Sequence, residues 1–186
     1  MAEKIRVFAQ NSQILTFGIT FAFYACGMIG TGHLLIGGAV GVGTALVLPS
    51  HLAGPVALGL GIVSHHILDL VPHTDAATFY SDPRKPIPWL ICALVALEIV
   101  LGLALTGVLY LSQHTTIAFI LGAGGGILPD LLDEVPLWQE RFRRTSFGAA
   151  WHRWHTRLHC ASMERAKVTG IVIDVCVIAA GLWLLL

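Results

Sequence analysis

Gly54-Pro55-Val56-Ala57-Leu58-Gly59-Leu60-Gly61-Ile62-Val63-Ser64-His65-His66-Ile67-Leu68-Asp69-Leu70-Val71-Pro72 decides the fold. No lysine, arginine or glutamate interrupts this run, and its ionisable residues crowd into its last turns. A bilayer core takes about 20 apolar residues of helix, with a range near 17 to 25. The run therefore reads as a membrane span that ends in a polar cluster. Segments near 33–49, 87–111, 115–133 and 167–186 read the same way. Composition agrees: 55% of the 186 residues are hydrophobic and 12% charged, with a mean hydropathy of +0.76. Soluble domains carry about a quarter charged residues. The expected fold is all-α, a polytopic transmembrane helical bundle of about five spans. An N-terminal apolar segment and a surface amphipathic helix are expected beside it.

The formal net charge is +0, so no bulk basicity points to nucleic acid. Cys26, Cys92, Cys160 and Cys176 form no CxxC pair. Cys26, Cys92 and Cys176 lie in apolar runs and read as small buried residues, and Cys160 adjoins His159 as a bystander or a ligand. Residues 1–30 read as a lead-in, in which Ile14 to Gly30 is either a short span or a surface-lying segment. Residues 31–186 read as the transmembrane domain, with a loop at 134–166.

Basic residues set the expected orientation. Arg84 and Lys85 lie between spans two and three, and Arg141, Arg143, Arg144, Arg153, Arg157 and Arg165 between spans four and five. The loops around His51 and His114 have none. With five spans and the N-terminus inside, every lysine and arginine falls on the cytoplasmic side. His33, the His65-to-Asp75 cluster, Asp130, Asp133 and the His152-to-His159 segment fall on that same face.

Imidazole and carboxylate together form a common ligand set for zinc and similar divalent ions. His65 and Asp69 stand four apart, His66 and Asp69 three apart, and either pair can share a helix face. His73 follows Pro72, which can end the helix before it. Asp130 and Asp133 are three apart, and His152, His155 and His159 form one helical stripe. A bundle can combine such residues from several helices into one metal centre. Singly, each motif reads equally as a cap, a surface hydrogen bond or a solvated helix face. Arg143, Arg144, Arg153 and Arg157 surround the stripe. They read either as holders of phosphate oxygens and anionic headgroups or as plain positive-inside residues. Glycines 122 and 124–126 read as close helix packing or as a loosened turn near Asp130. Glu98, mid-span, reads as a carboxyl that bonds to a neighbouring helix backbone or stays protonated, and Asp174 as an interhelical bond or a group that reaches the site.

These motifs give the chain a resemblance. Thr31-Gly32-His33-Leu34-Leu35-Ile36-Gly37, Ser64-His65-His66-Ile67-Leu68-Asp69, Gly126-Ile127-Leu128-Pro129-Asp130-Leu131-Leu132-Asp133 and His152-Arg153-Trp154-His155 resemble pieces of the predicted membrane-bound metal-dependent hydrolases of bacterial inner membranes. The likeness spans about residues 28 to 160, although the order of the pieces differs and Glu134 stands where that family often has a histidine. The resemblance implies a hydrolase in the bacterial inner membrane.

The expectation is thus a cytoplasmic-face hydrolase using Zn²⁺ or Mn²⁺, with water activated by the metal. Its ligands are expected among His33, His65, His66, Asp69, His73, Asp130, Asp133, His152, His155 and His159, with Asp69 and Asp133 as catalytic carboxylates. The expected partners are membrane lipid and a phosphate-bearing substrate. The rival expectation is a membrane protein that binds or passes a metal ion, or uses these groups only to fasten helices.

Overall fold

The computed structural model describes residues 30–74, 89–112, 116–135, 138–158 and 167–186. Among them the chain is all-helical, with seven helices. These are α1 (Gly30–Val47), α2 (Ser50–Asp69), α3 (Trp89–Ser112), α4 (Ile117–Asp133), α5 (Gln139–Arg143), α6 (Ser146–Leu158) and α7 (Lys167–Leu185). The five long helices occupy the five apolar segments of the sequence. Three helices are long and apolar enough to cross a membrane: Gly30–Val47, Ser50–Asp69 and Val168–Leu185. The lead-in at 1–29, Asp75, His114, His159 and Cys160 lie outside the described residues.

The pattern on α2 is inverted relative to a soluble helix. Leu52, Val56, Leu60, Val63 and Ile67 form one outward stripe, 37–58% exposed. The buried face is small or polar: Ala53, Gly54, Ala57, Gly61, Ser64, His65, His66 and Asp69. Each outward aliphatic side chain left in water forgoes about 1.5–3 kcal/mol of burial, so the stripe suits lipid. Cys176 on α7 is exposed as well, not buried as expected. An apolar run alone does not say which of its faces meets lipid.

Helices α1 and α4 form the centre of the bundle: they pack on each other and on α2, and α1 also receives α3 and α7. Glycine permits this closeness. A Cβ at Gly122 would strike the Gly37 carbonyl, and one at Gly125 the Leu58 carbonyl. Gly126 likewise lies against the His33 carbonyl. Gly122, Gly125 and Gly126 therefore serve packing, and the helix runs on unbroken through Pro129 and Asp130 to Asp133. Leu35, Leu109 and Phe119 form an apolar core cluster, flanked by Leu105, Ile178 and Leu182.

The two carboxylates left open by the sequence bind across helices. Glu98 Oε1 on α3 accepts the Thr31 backbone N–H at 2.8 Å and also the Thr31 hydroxyl. First-turn amides have no partner within their own helix, so Glu98 completes the start of α1. Asp174 Oδ2 on α7 accepts the Thr74 N–H at 3.2 Å and the Thr74 hydroxyl. That bond ties the segment after α2 to α7.

The 137–165 stretch forms two helices among its described residues, not one amphipathic helix. The chain turns at Arg144 and Thr145, where Thr145 Oγ1 accepts the Gly148 N–H at 2.9 Å. Gly148 fits there because a side chain would collide with the Phe142 carbonyl. This turn lays α6 across the ends of α2 and α4.

Candidate metal centre

The start of α1, the ends of α2 and α4, and the middle of α6 meet at one end of the bundle. His33, His65, His66, Asp69, His73, Asp133 and His155 are all buried there. Asp130 is partly open, its side chain 17% exposed. His51 sits exposed at the opposite end of α2.

Tautomers follow from the hydrogen bonds. His65 Nδ1 lies 2.7 Å from the Gly126 carbonyl oxygen. A carbonyl can only accept, so Nδ1 carries the proton and Nε2 turns a lone pair inward. His155 Nδ1 lies 3.2 Å from Asp133 Oδ2, and a carboxylate also accepts. The two Nε2 atoms nonetheless face each other at 3.3 Å. Two lone pairs at that distance repel unless a cation, either a proton or a metal ion, lies between them.

Two carboxylate oxygens complete the group. Asp69 Oδ2 is 3.1 Å from His65 Nε2 and 3.3 Å from His155 Nε2. Asp130 Oδ1 is 3.4 Å from His65 Nε2 and 3.5 Å from His155 Nε2. A tetrahedral zinc ion with bonds of about 2.0–2.1 Å separates its ligand atoms by about 3.3–3.4 Å. These five distances, 3.1–3.5 Å, are close to the spacing such an ion requires.

Asp133 lies behind this group. Its Oδ2 accepts from His152 Nδ1 at 2.8 Å as well as from His155, and its Oδ1 accepts from Arg143 Nε at 2.8 Å. Arg143 Nη2 also donates to the Asp133 backbone carbonyl at 2.6 Å. A carboxylate behind a metal-binding imidazole sets its tautomer and raises its basicity. Burial works against a charged His155 ring, but the Asp133 and Asp69 hydrogen bonds and the Asp130 charge outweigh it, pushing its pKa up to about 10. In the metal-free protein a proton therefore takes the cation's place at Nε2.

The other expected residues fall around this core. His33 Nε2 is 3.5 Å from Asp69 Oδ1, its ring stacked on His65. His66 Nδ1 is farther, 3.9 Å from Asp69 Oδ2. Its ring packs on Trp154 at 4.1 Å and Trp151 at 5.9 Å, which closes α6 over the site. His73 Nδ1 lies 2.8 Å from the Val71 carbonyl. Arg143 holds Asp133, exposed Arg144 pairs with Glu140 at 3.4 Å, and Arg153 and Arg157 are exposed on α6.

Two participants escaped the sequence reading of the site. Gly126 contributes a backbone oxygen, which no side-chain pattern reveals. Glu134 groups with Asp133 and His155, its ligand atom within 4.8 Å of theirs. Burial, with the charges of Asp130 and Asp133, pushes the Glu134 carboxyl up from its ordinary value. Its adjacency to Asp133 was the available signal. Comparison with protein-family models, curated proteins and solved structures returned no match.

Proposed function

We propose that the chain is a membrane-embedded, metal-dependent hydrolase whose centre opens at the cytoplasmic face of a bacterial inner membrane. The observation that carries this is the approach of His65 Nε2 and His155 Nε2 to 3.3 Å with both Nδ1 atoms already committed. His65, His155, Asp69 and Asp130 would hold the ion, Zn²⁺ first and Mn²⁺ second. Bound there, a divalent ion supplies Lewis-acid polarisation and lowers the pKa of water toward neutrality. The chain's own residues do the rest. Asp133 keeps the His155 proton on Nδ1, the Gly126 carbonyl does the same for His65, and Trp151 and Trp154 shield the inner side from water. Partly exposed Asp130 marks the open side, where a substrate would enter.

If all five long helices cross the membrane, every lysine and arginine falls on one face, and this supports the cytoplasmic orientation. Exposed Arg153 and Arg157 would meet phosphate oxygens or anionic headgroups at that face, which makes a phosphoester the substrate class to test first. Glu98 lies deep in α3 but is engaged with Thr31. A conduction path at the midplane therefore has less support than a site at the membrane surface.

The test is to purify the full chain, load it with Zn²⁺, quantify bound metal, and assay a panel of soluble phosphoesters and phospholipid vesicles. Bound zinc and hydrolysis, both lost in His65→Ala, are expected. Zinc bound without turnover on any substrate would assign the chain to metal binding or transport instead. Absence of bound metal would overturn the metal centre itself.

A further inference from the structure

The proposed centre leaves His33 unexplained. It is fully buried, and neither of its ring nitrogens has a hydrogen-bond partner. Burying a polar group without a hydrogen bond is destabilising, so this imidazole is retained at a cost that a ligand would offset. The obvious role, a further ligand to the same ion, conflicts with its orientation. His33 and His65 are stacked, with ring centroids 4.1 Å apart and planes 29° apart. An imidazole binds a metal along a lone pair in its own ring plane. Rings tilted by only 29° direct their in-plane lone pairs more nearly side by side than toward one point. Although the ligand atoms of His33, His65 and Asp130 lie within 4.8 Å of one another, this stacking favours a separate point for His33.

The carboxylate between them matches this division. Asp69 Oδ2 faces His65 Nε2 at 3.1 Å, whereas Asp69 Oδ1 faces His33 Nε2 at 3.5 Å. One carboxylate thus turns a different oxygen to each ring. Paired metal centres commonly hold their ions about 3.5–4 Å apart, close to the 4.1 Å stacking distance. Asp130 is placed to join both sides, since its ligand atom lies within 4.8 Å of those of both His33 and His65. His73 is also near enough to His33 to interact with it electrostatically.

We infer that the centre takes two divalent ions bridged by Asp69. One ion binds His65, His155, Asp69 Oδ2 and Asp130; the other binds His33 and Asp69 Oδ1 and is reached by a substrate only from the side of partly exposed Asp130. This inference rests on the metal-dependent reading and specifies its ligand as a pair of ions. A bridged pair suits in-line displacement at a phosphoester, because the attacking and leaving oxygens can be stabilised by different ions.

Manganese tests this without an activity assay. The full-length wild-type chain in detergent is titrated with Mn²⁺, and the bound ions are counted and examined by electron paramagnetic resonance. Two ions per chain with an exchange-coupled spectrum are expected. His33→Phe keeps a stacked ring but removes both nitrogens, so it should bind one ion and give an isolated-ion spectrum. Saturation of the wild type at one Mn²⁺, or two uncoupled ions, would overturn the pair while leaving the single-ion hydrolase reading intact. Retention of the coupled spectrum in His33→Phe would likewise overturn it. If the wild type took up neither Mn²⁺ nor Zn²⁺, the metal-dependent reading would fall, and the pair with it.

Discussion

Asp133→Asn separates a carboxylate that sets a tautomer from one that merely fills space. Asp133 accepts on both oxygens: Oδ1 takes Arg143 Nε at 2.8 Å, and Oδ2 takes His152 Nδ1 at 2.8 Å and His155 Nδ1 at 3.2 Å. Asparagine has nearly the same shape but offers one acceptor oxygen and one donating NH₂. If its oxygen stays with Arg143, the NH₂ confronts two imidazole N–H groups. His155 escapes that clash by giving up its Nδ1 proton and keeping the one on Nε2, so that no lone pair is left to face Asp69 and His65. Loss of the partner behind a metal-binding histidine typically weakens affinity about 10–100-fold, or about 1.4–2.7 kcal/mol. The assay is competition for Zn²⁺ against a chromophoric chelator at pH 7, with circular dichroism to confirm helicity. Binding within twofold of wild type in a folded Asp133→Asn protein would refute the tautomer argument.

Three other outcomes are expected. His155 has a folded-state pKa raised above its unfolded value, so its contribution to metal-free stability is complete below about pH 6.5 and fades as pH rises through about 10. Because a metal must displace that proton, Zn²⁺ affinity should climb about tenfold per pH unit between those limits, and a pH-independent affinity by chelator competition would contradict this. Gly126→Ala drives a Cβ into the His33 carbonyl, whereas a Cβ at Gly124 meets nothing within 4 Å. The first should destabilise by about 1–3 kcal/mol and the second leave stability unchanged or slightly improved, as read from thermal unfolding in detergent; equal effects would argue against the close α1–α4 contact. Glu98→Leu strands the buried Thr31 N–H and should cost about 1–3 kcal/mol in the same unfolding assay, while an unchanged melting temperature would show that this bond does not hold α1.

Much of this arrangement was legible because hydropathy and spacing are local properties. The apolar runs marked the five long helices, and the grouping of histidine and aspartate at their ends marked the site. Long-range partners were not legible. Nothing near Glu98 or Asp174 in sequence shows that they bind Thr31 and Thr74. Spacing left His65 and His66 equivalent next to Asp69. Helix rotation separates them, turning His65 onto Asp69 at 3.1 Å and His66 onto Trp154. The stripe at 152, 155 and 159 read as one helix face, and α6 does carry His152 and His155 together toward Asp133 Oδ2. Of its histidines, His152 stops at Asp133 and His155 reaches through to Asp69. Ring tautomers, which decide where a cation can sit, depend on Gly126 and Asp133, two partners distant in the chain.

X-ray absorption at the zinc edge of the loaded protein tests the centre most directly. Nitrogen and oxygen neighbours only are expected, at about 2.0–2.1 Å, with the outer-shell scattering of imidazole, and that imidazole signal should weaken clearly in the His65→Ala, His155→Ala double variant. A sulfur shell at about 2.3 Å, or a spectrum unchanged in that variant, would place the metal elsewhere and contradict the account.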